Sequence, residues 1–310
     1  MSRTISLLLR MTLSLIKLLE RQTMTDQAEK LRARIKRQLE GKSAKTIAVI
    51  SGKGGVGKSN FALNFSISLS KHRKKVLLFD LDVGMGNIDL LLGKTAEKTI
   101  AHFLTEEYSL DDIIQKNYDI HYIAGGTGLN RAIKLEKDRV EHLLQELKHV
   151  LYDYDYLIFD IGAGMNDELV RLLSGIETLI VVVTPEPTSI LDAYSAMKII
   201  HLQVPEAKFY LLGNRMKNEK ENSIVMQRLQ TVMNSFLQKD CEILGFLPED
   251  STIISAVKNQ IPFLLFKPKS NAAKQMRIVT KNYLMKNDSL EQTQKEDHFI
   301  ERLQHFLLRK

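Results

Sequence analysis

The sequence predicts an α/β protein built on a doubly wound, mostly parallel sheet, with short helical extensions at both ends. Three observations predict it. Seven short apolar segments recur from residue 46 onward; each is near-continuously apolar, as in strands covered on both faces; and helical periodicity fills the stretches between them.

The elements follow in order. Residues 26–40 (DQAEKLRARIKRQLE) lack Gly, Pro and any β-branched run, and Ala28, Leu31, Ile35 and Leu39 form a narrow apolar stripe on a charged helix. Gly41, Lys42 and Ser43 read as a linker. Strands are expected at 46–51, 76–81, 120–125, 156–162, 178–184, 208–214 and 242–247. Helices are expected at 59–71, 136–151, 188–203, 221–238 and 271–285. Past residue 286 the chain turns polar and then ends in HFIERLQHFLLRK. On a helix, Phe299, Ile300, Leu303, Phe306 and Leu307 fall within about a third of the circumference. That stripe suits either a lipid surface or packing against the body, and the polar segment before it favours lipid.

Composition bounds the function. The chain has 310 residues, 44% hydrophobic and 26% charged, as in soluble globular proteins. Its single cysteine, Cys241, excludes a disulfide framework within the chain and any CxxC site. The net charge of +7 is concentrated: residues 1–45 hold eleven Lys/Arg and four Asp/Glu, leaving the body neutral overall. Nonspecific nucleic-acid binding needs several phosphate-neutralising side chains, so no specific nucleic acid is expected as a partner. The basic arm reads as a solvated helix or as a partner-binding element. Residues 1–23 are leucine-rich but interrupted by Arg10 and Lys17, with no apolar run of about 18–20 residues.

Residues 52–59, GKGGVGKS, match GxxxxGK[ST] between an expected strand and an expected helix, the context a phosphate-binding loop requires. Backbone N–H groups of Gly52, Lys53, Gly54, Gly55, Val56 and Gly57 would curl around phosphate oxygens, before Asn60 in the following helix. Lys58 would reach the β/γ-phosphates, and the Ser59 hydroxyl would ligate Mg²⁺. Asp80, Asp82 and Asp160 stand at the carboxyl ends of two strands, where open α/β sheets bind ligands. A single aspartate there is often a helix N-cap; three on one phosphate site suit metal and water positioning.

Lys53, the second lysine of the loop, makes a resemblance specific. The K-G-G-x-G-K-S form is similar to the deviant Walker A ATPases, which include MinD, ParA, the nitrogenase iron protein and bacterial tyrosine kinases. Within that group the chain resembles the FlhG (YlxH, FleN) family of MinD-like P-loop ATPases over nearly its whole length. The residues that carry the likeness are DQAEKLR (26–32), AVISGKGGVGKSN (48–60), DLDVGMGNIDLLLG (80–93), YIAGGTGL (122–129), FDIGAG (159–164), VVVTPEPTSILDAYSAMK (181–198) and PFLLFKPKS (262–270). Ile161-Gly162-Ala163-Gly164 departs from the serine-proline-alanine-glycine run of MinD proteins.

The resemblance implies an ATP- and Mg²⁺-dependent switch that dimerises with ATP, hydrolyses it slowly and sets flagellar number and placement. Lys53 would reach across the dimer to the partner's phosphates, and Asp192 would hold it when ATP is absent. Asp82 would position the hydrolytic water, with Ser59, Asp80 and Asp160 supporting the metal. Asn214 would contact adenine, and the Pro248-Glu249-Asp250 turn would close on the base. Asp26, Gln27, Ala28, Leu31 and Arg32 would engage an FlhF-like GTPase, and flagellar switch components are further implied partners. The terminal stripe would attach the dimer reversibly to the inner face of the cytoplasmic membrane, with the protein otherwise cytoplasmic. Such chains begin two residues before DQAEKLR, so translation is expected to start at Met24, leaving 1–23 outside the native product. The resulting layout is arm 24–45, ATPase domain 46–285 and tail 286–310. MinD-type division-site and ParA-type partition ATPases are the alternatives. A tyrosine kinase would need a terminal tyrosine cluster, and a cluster-bridging reductase or iron–sulfur scaffold two cysteines.

Overall fold

A computed structural model describes residues 31–39, 43–82, 86–106, 108–126, 137–162, 167–288 and 298–307. Met24, Asp26, Gln27, Ala28 and residues 289–297 of the polar linker lie outside the described residues, as do the side chains of Phe306 and Leu307; residues 286–288 continue α12.

Helix α1 (31–39) precedes β1 (Lys45–Ile50), α2 (Lys58–Lys71) and β2 (Val76–Leu81). Three short helices follow, α3 (Ile88–Leu92), α4 (Ile100–Thr105) and α5 (Leu110–Ile113), then the hairpin β3 (Gln115–Asn117) and β4 (Ile120–Ile123). Next come α6 (Lys137–Asp153), β5 (Tyr156–Ile161), α7 (Asp167–Leu173), β6 (Thr178–Val183) and α8 (Pro187–Gln203). The rest is β7 (Lys208–Met216), α9 (Glu219–Leu237), β8 (Cys241–Pro248), α10 (Ser251–Lys258), α11 (Phe263–Phe266), α12 (Asn271–Asp288) and α13 (His298–Leu307).

The strands form one sheet in the order β3-β4-β2-β5-β1-β6-β7-β8, parallel except for edge strand β3. All seven strands expected from the apolar runs are present. Each buries both faces: along β1, Ala48 and Ile50 enter one core while Ile47 and Val49 enter the other. The first core lies under α4 to α9 and α13, the second under α2, α3 and α10 to α12. β1 sits centrally between β5 and β6, so the chain leaving its carboxyl end enters the crevice where open α/β sheets place ligands.

The described helix of each extension, α1 and α13, docks on the body. Arg34 of α1 pairs with Asp153, while Arg37 donates to the Asp155 carboxylate at 3.0 Å and to the Tyr154 carbonyl at 2.7 Å. The apolar stripe of α1 is left outward, with Leu31, Ile35 and Leu39 all exposed.

Helix α13 corrects an expectation. Phe299, Ile300 and Leu303 are not presented to a lipid surface; all three are buried in the first core, against α6 and α7. The Phe299 ring lies 6.1 Å from that of Phe159, over Gly175. One amphipathic stripe satisfies a bilayer or a groove equally well, and here the groove holds it. Burying three such side chains is worth roughly 5–9 kcal/mol as an upper estimate.

Candidate nucleotide site

After Ile50 the chain turns through residues 51–57 into α2. The turn passes very close to α8: a Cβ on Gly52 would lie 2.0 Å from the backbone carbon of Asp192. Only glycine fits there, so the start of the loop is locked to α8. On the other side Asn214 Nδ2 donates to the Val56 carbonyl at 2.7 Å, and Arg215 Nη2 to the Gly55 carbonyl at 2.8 Å. The loop is therefore held between α8 on one side and the end of β7 on the other.

Lys58 is buried, and burial lowers its pKa against the opposing pull of Asp160 and Asp82. Asp160 ends β5 fully buried, and neither of its carboxylate oxygens has a hydrogen-bond partner. Burial pushes its pKa up to about 7, with Ser59 and Lys58 pulling it down and the Asp80 and Asp82 charges pushing it up. A buried carboxylate with no partner, beside a hydroxyl and a lysine, fits a divalent cation and the phosphates it would bridge. Ser59 and Asp160 suit Mg²⁺.

Asp80 differs from the metal role expected of it. One of its oxygens accepts from Asp82 N at 3.2 Å, and the other from Asn87 N at 2.8 Å and Ile88 N at 3.1 Å. It is buried, with its pKa raised to about 6 by that burial despite those bonds. Its oxygens serve the backbone of the loop that carries Asp82, so it positions that loop. Asp82 accepts from Asn87 Nδ2 at 3.1 Å and folds against Gly162, where a Cβ would come within 2.8 Å of its Oδ1. The glycine that departs from the MinD run therefore has a physical use: it leaves room for the Asp82 carboxylate beside Asp160.

Lys53 points away from its own loop. Its Nζ donates to Thr188 Oγ1 at 3.0 Å, on the exposed first turn of α8; Asp192, one turn on, makes no hydrogen bond to it. The positive end of a helix is an adverse place for a cation. The N-cap residue Glu186 offsets this: its pKa is held below the carboxylate range by the Thr184 hydroxyl, then by the Lys53 and Arg215 charges. With that dipole offset, what holds Lys53 is a single exposed hydrogen bond to a neutral hydroxyl, a weak resting place.

Asn214 is buried with its Oδ1 unpartnered, an acceptor suited to the exocyclic amine of adenine. Pro248 ends β8, and Glu249 N donates to the Met216 carbonyl at 2.9 Å, tying that turn to the end of β7. Asp250 caps α10 through Thr252 N at 2.8 Å. Asn60 receives the side chain of Asn64, whose own oxygen accepts from Leu264 N at 3.0 Å, joining the loop helix to the PFLLF turn. Thr188, Arg215 and Asn87 have no individual role in the sequence pattern, although Asn87 and Thr188 lie inside the runs 80–93 and 181–198 and Arg215 follows Asn214.

A glycine-rich loop after the central strand, a buried lysine and an unpaired carboxylate on the neighbouring strand define a P-loop nucleoside triphosphatase. The chain belongs to the ParA family of such proteins: the family profile, described as "NUBPL iron-transfer P-loop NTPase", matches residues 42–284. Among curated relatives, antiactivator FleN of Pseudomonas aeruginosa is 29% identical over 75% of this chain and 84% of its own. Flagellum site-determining protein YlxH of Helicobacter pylori is 31% identical over 70% of this chain and 74% of its own. The septum site-determining protein MinD from Pyrococcus horikoshii, solved with Mg-ADP, shares the fold. Its TM-score is 0.65 and its identity 23%, over 80% of this chain and all of that one. The iron-transfer part of the family description finds little support here, since the only cysteine is buried with its thiol pKa pushed up to about 12.

Proposed function

We propose that the chain is an ATP-dependent dimerising switch that hydrolyses ATP slowly and regulates flagellar number and placement. The single observation that carries this reading is Lys53, a cation of the phosphate loop resting outside its own site on an exposed helix turn. Lys58 already serves the β/γ-phosphates, so Lys53 finds work only when a second subunit brings a triphosphate against it. The similarity to FleN and YlxH supports the flagellar assignment.

In this reading the loop N–H groups and Lys58 hold the phosphates, and Asn214 accepts from adenine. Ser59 and Asp160 hold Mg²⁺, which when bound offsets charge on the β/γ-phosphate oxygens. Asp82 orients the attacking water and takes its proton. The partner subunit's Lys53 balances charge developing on the γ-phosphate. Leaving Thr188 costs Lys53 little, which suits a lysine that must commute between rest and interface.

Two surfaces carry the output. The outward stripe of α1, together with Asp26, Gln27, Ala28 and Arg32, serves the FlhF-like GTPase. Membrane attachment requires α13 to leave its groove. One released helix would bind a bilayer weakly, while a dimer presenting two gains avidity. The apolar area lost from the groove is regained in lipid, so nucleotide needs to bias only the difference.

Because the active unit contains two chains, specific ATPase activity is expected to rise with protein concentration and then plateau. A constant specific activity across the dilution series would contradict the proposal.

A further inference from the structure

A cleft of ≈ 880 Å³ opens at the amino-terminal edge of the sheet, the opposite edge from the phosphate loop. Its walls are α1, the turn between α2 and β2, the β3–β4 hairpin and the end of α6. Four cationic side chains line it: Arg73, Lys74 and Lys75 from the turn, and Lys116 from β3 on the facing wall. None of the four pairs with a carboxylate among the described residues. The carboxylates of the cleft are largely committed elsewhere: Asp153 binds Arg34, Asp119 binds Lys71, and Asp111 is the third. Arg37 adds a fifth cation at the α1 wall, already shared with Asp155.

Like charges gathered around one concavity with no carboxylate partner raise its positive potential and favour an anion there. The volume falls in the range of small-molecule sites, and cations contributed by two separate elements, the α2–β2 turn and β3, suit an anion with more than one charge. Arg73 holds a left-handed backbone (φ 60) that reverses the chain, so the three successive cations stay at the cleft. The floor is rigid: His121 Nδ1 and the Tyr154 hydroxyl lie 2.6 Å apart, with their rings edge-to-face at 5.4 Å.

The geometry points to a second anion site, separate from the ATP site, that takes a small phosphate ester carrying two or more phosphates. Its α1 wall joins the ligand to the arm: Arg37 faces the cleft from a helix clipped to the body by ion pairs. A bound polyphosphate would fasten α1 further.

The test uses the full chain with its phosphate loop saturated by Mg·ADP and inorganic tripolyphosphate as probe, followed by calorimetry at two salt concentrations. One saturable tripolyphosphate per chain is expected, weakened at higher salt. In the double variant Arg73→Ala, Lys116→Ala the affinity should fall at least about tenfold, with ADP affinity and circular dichroism unchanged. Lys116→Arg should retain binding. Hydrogen exchange in 31–39 should slow when the probe binds. Absence of binding beyond the phosphate loop would overturn the site, and so would binding that the double variant leaves intact. Tighter binding of poly-glutamate than of tripolyphosphate at the same residues would overturn the ligand class in favour of an acidic protein segment.

Discussion

Lys53→Ala is expected to bind ATP within about threefold of wild type, yet to lose ATP-dependent dimerisation and about 10³-fold in hydrolysis. Lys53 lies outside its own site, on Thr188, so removing it leaves the loop, Lys58 and the Asn214 and Arg215 clamps in place. The whole loss falls on the interface, where a cation supplied in trans to a transferring phosphoryl group is worth about 10³ or more in rate. Lys58→Ala should behave differently and lose nucleotide binding itself. Equilibrium nucleotide binding and single-turnover hydrolysis on both variants separate the two roles. Equal loss of ATP affinity in both would remove the distinction between the lysines.

Asp160→Asn is expected to stop hydrolysis and to stabilise the nucleotide-free protein. The carboxyl has a folded pKa of about 7 against 3.8 for the ordinary group, because burial disfavours its charge. The folded state therefore holds a proton that the unfolded state has released, and stability declines as pH rises from about 4 through 7. At pH 8 the full penalty applies, on the order of 4 kcal/mol for a rise from 3.8 to about 7. Asparagine cannot ionise, so the variant should melt several degrees higher at pH 8, and the gap should close toward pH 4. Mg·ADP should narrow the difference by stabilising wild type more, since a cation removes the same penalty. Differential scanning fluorimetry across pH, with and without Mg·ADP, reads all three expectations. A variant less stable than wild type at pH 8 would mean that the carboxylate is well solvated or already paired.

The layered fold was legible because buried parallel strands leave near-continuous apolar runs, and all seven such runs became strands. Strand β3 (QKN) escaped because a polar edge strand of three residues leaves no periodic trace. The short helices α3, α4, α5, α7, α10 and α11 escaped for a related reason: each has one to two turns and is held by caps and tertiary packing. At the site, the loop residues were readable because glycine spacing and the Lys58-Ser59 pair are local. The partners of side chains were not. Whether a strand-end aspartate serves backbone N–H groups, as Asp80 does, or stands unpaired, as Asp160 does, depends on how a distant loop folds over it. Lys53 resting on Thr188 instead of Asp192 is the same kind of difference, one helical turn in a contact between elements far apart in sequence. For α13 amphipathicity specifies that a face will be covered, not by what, and a protein groove covers Phe299, Ile300 and Leu303.

Static light scattering on wild type in Mg·ATP and in Mg·ADP, with liposome co-sedimentation of the same samples, tests the switch most directly. Twice the chain mass and lipid association are expected in ATP, one chain mass and little lipid association in ADP, and neither response to ATP in Lys53→Ala. A wild-type chain that keeps one mass in both nucleotides would contradict the switch.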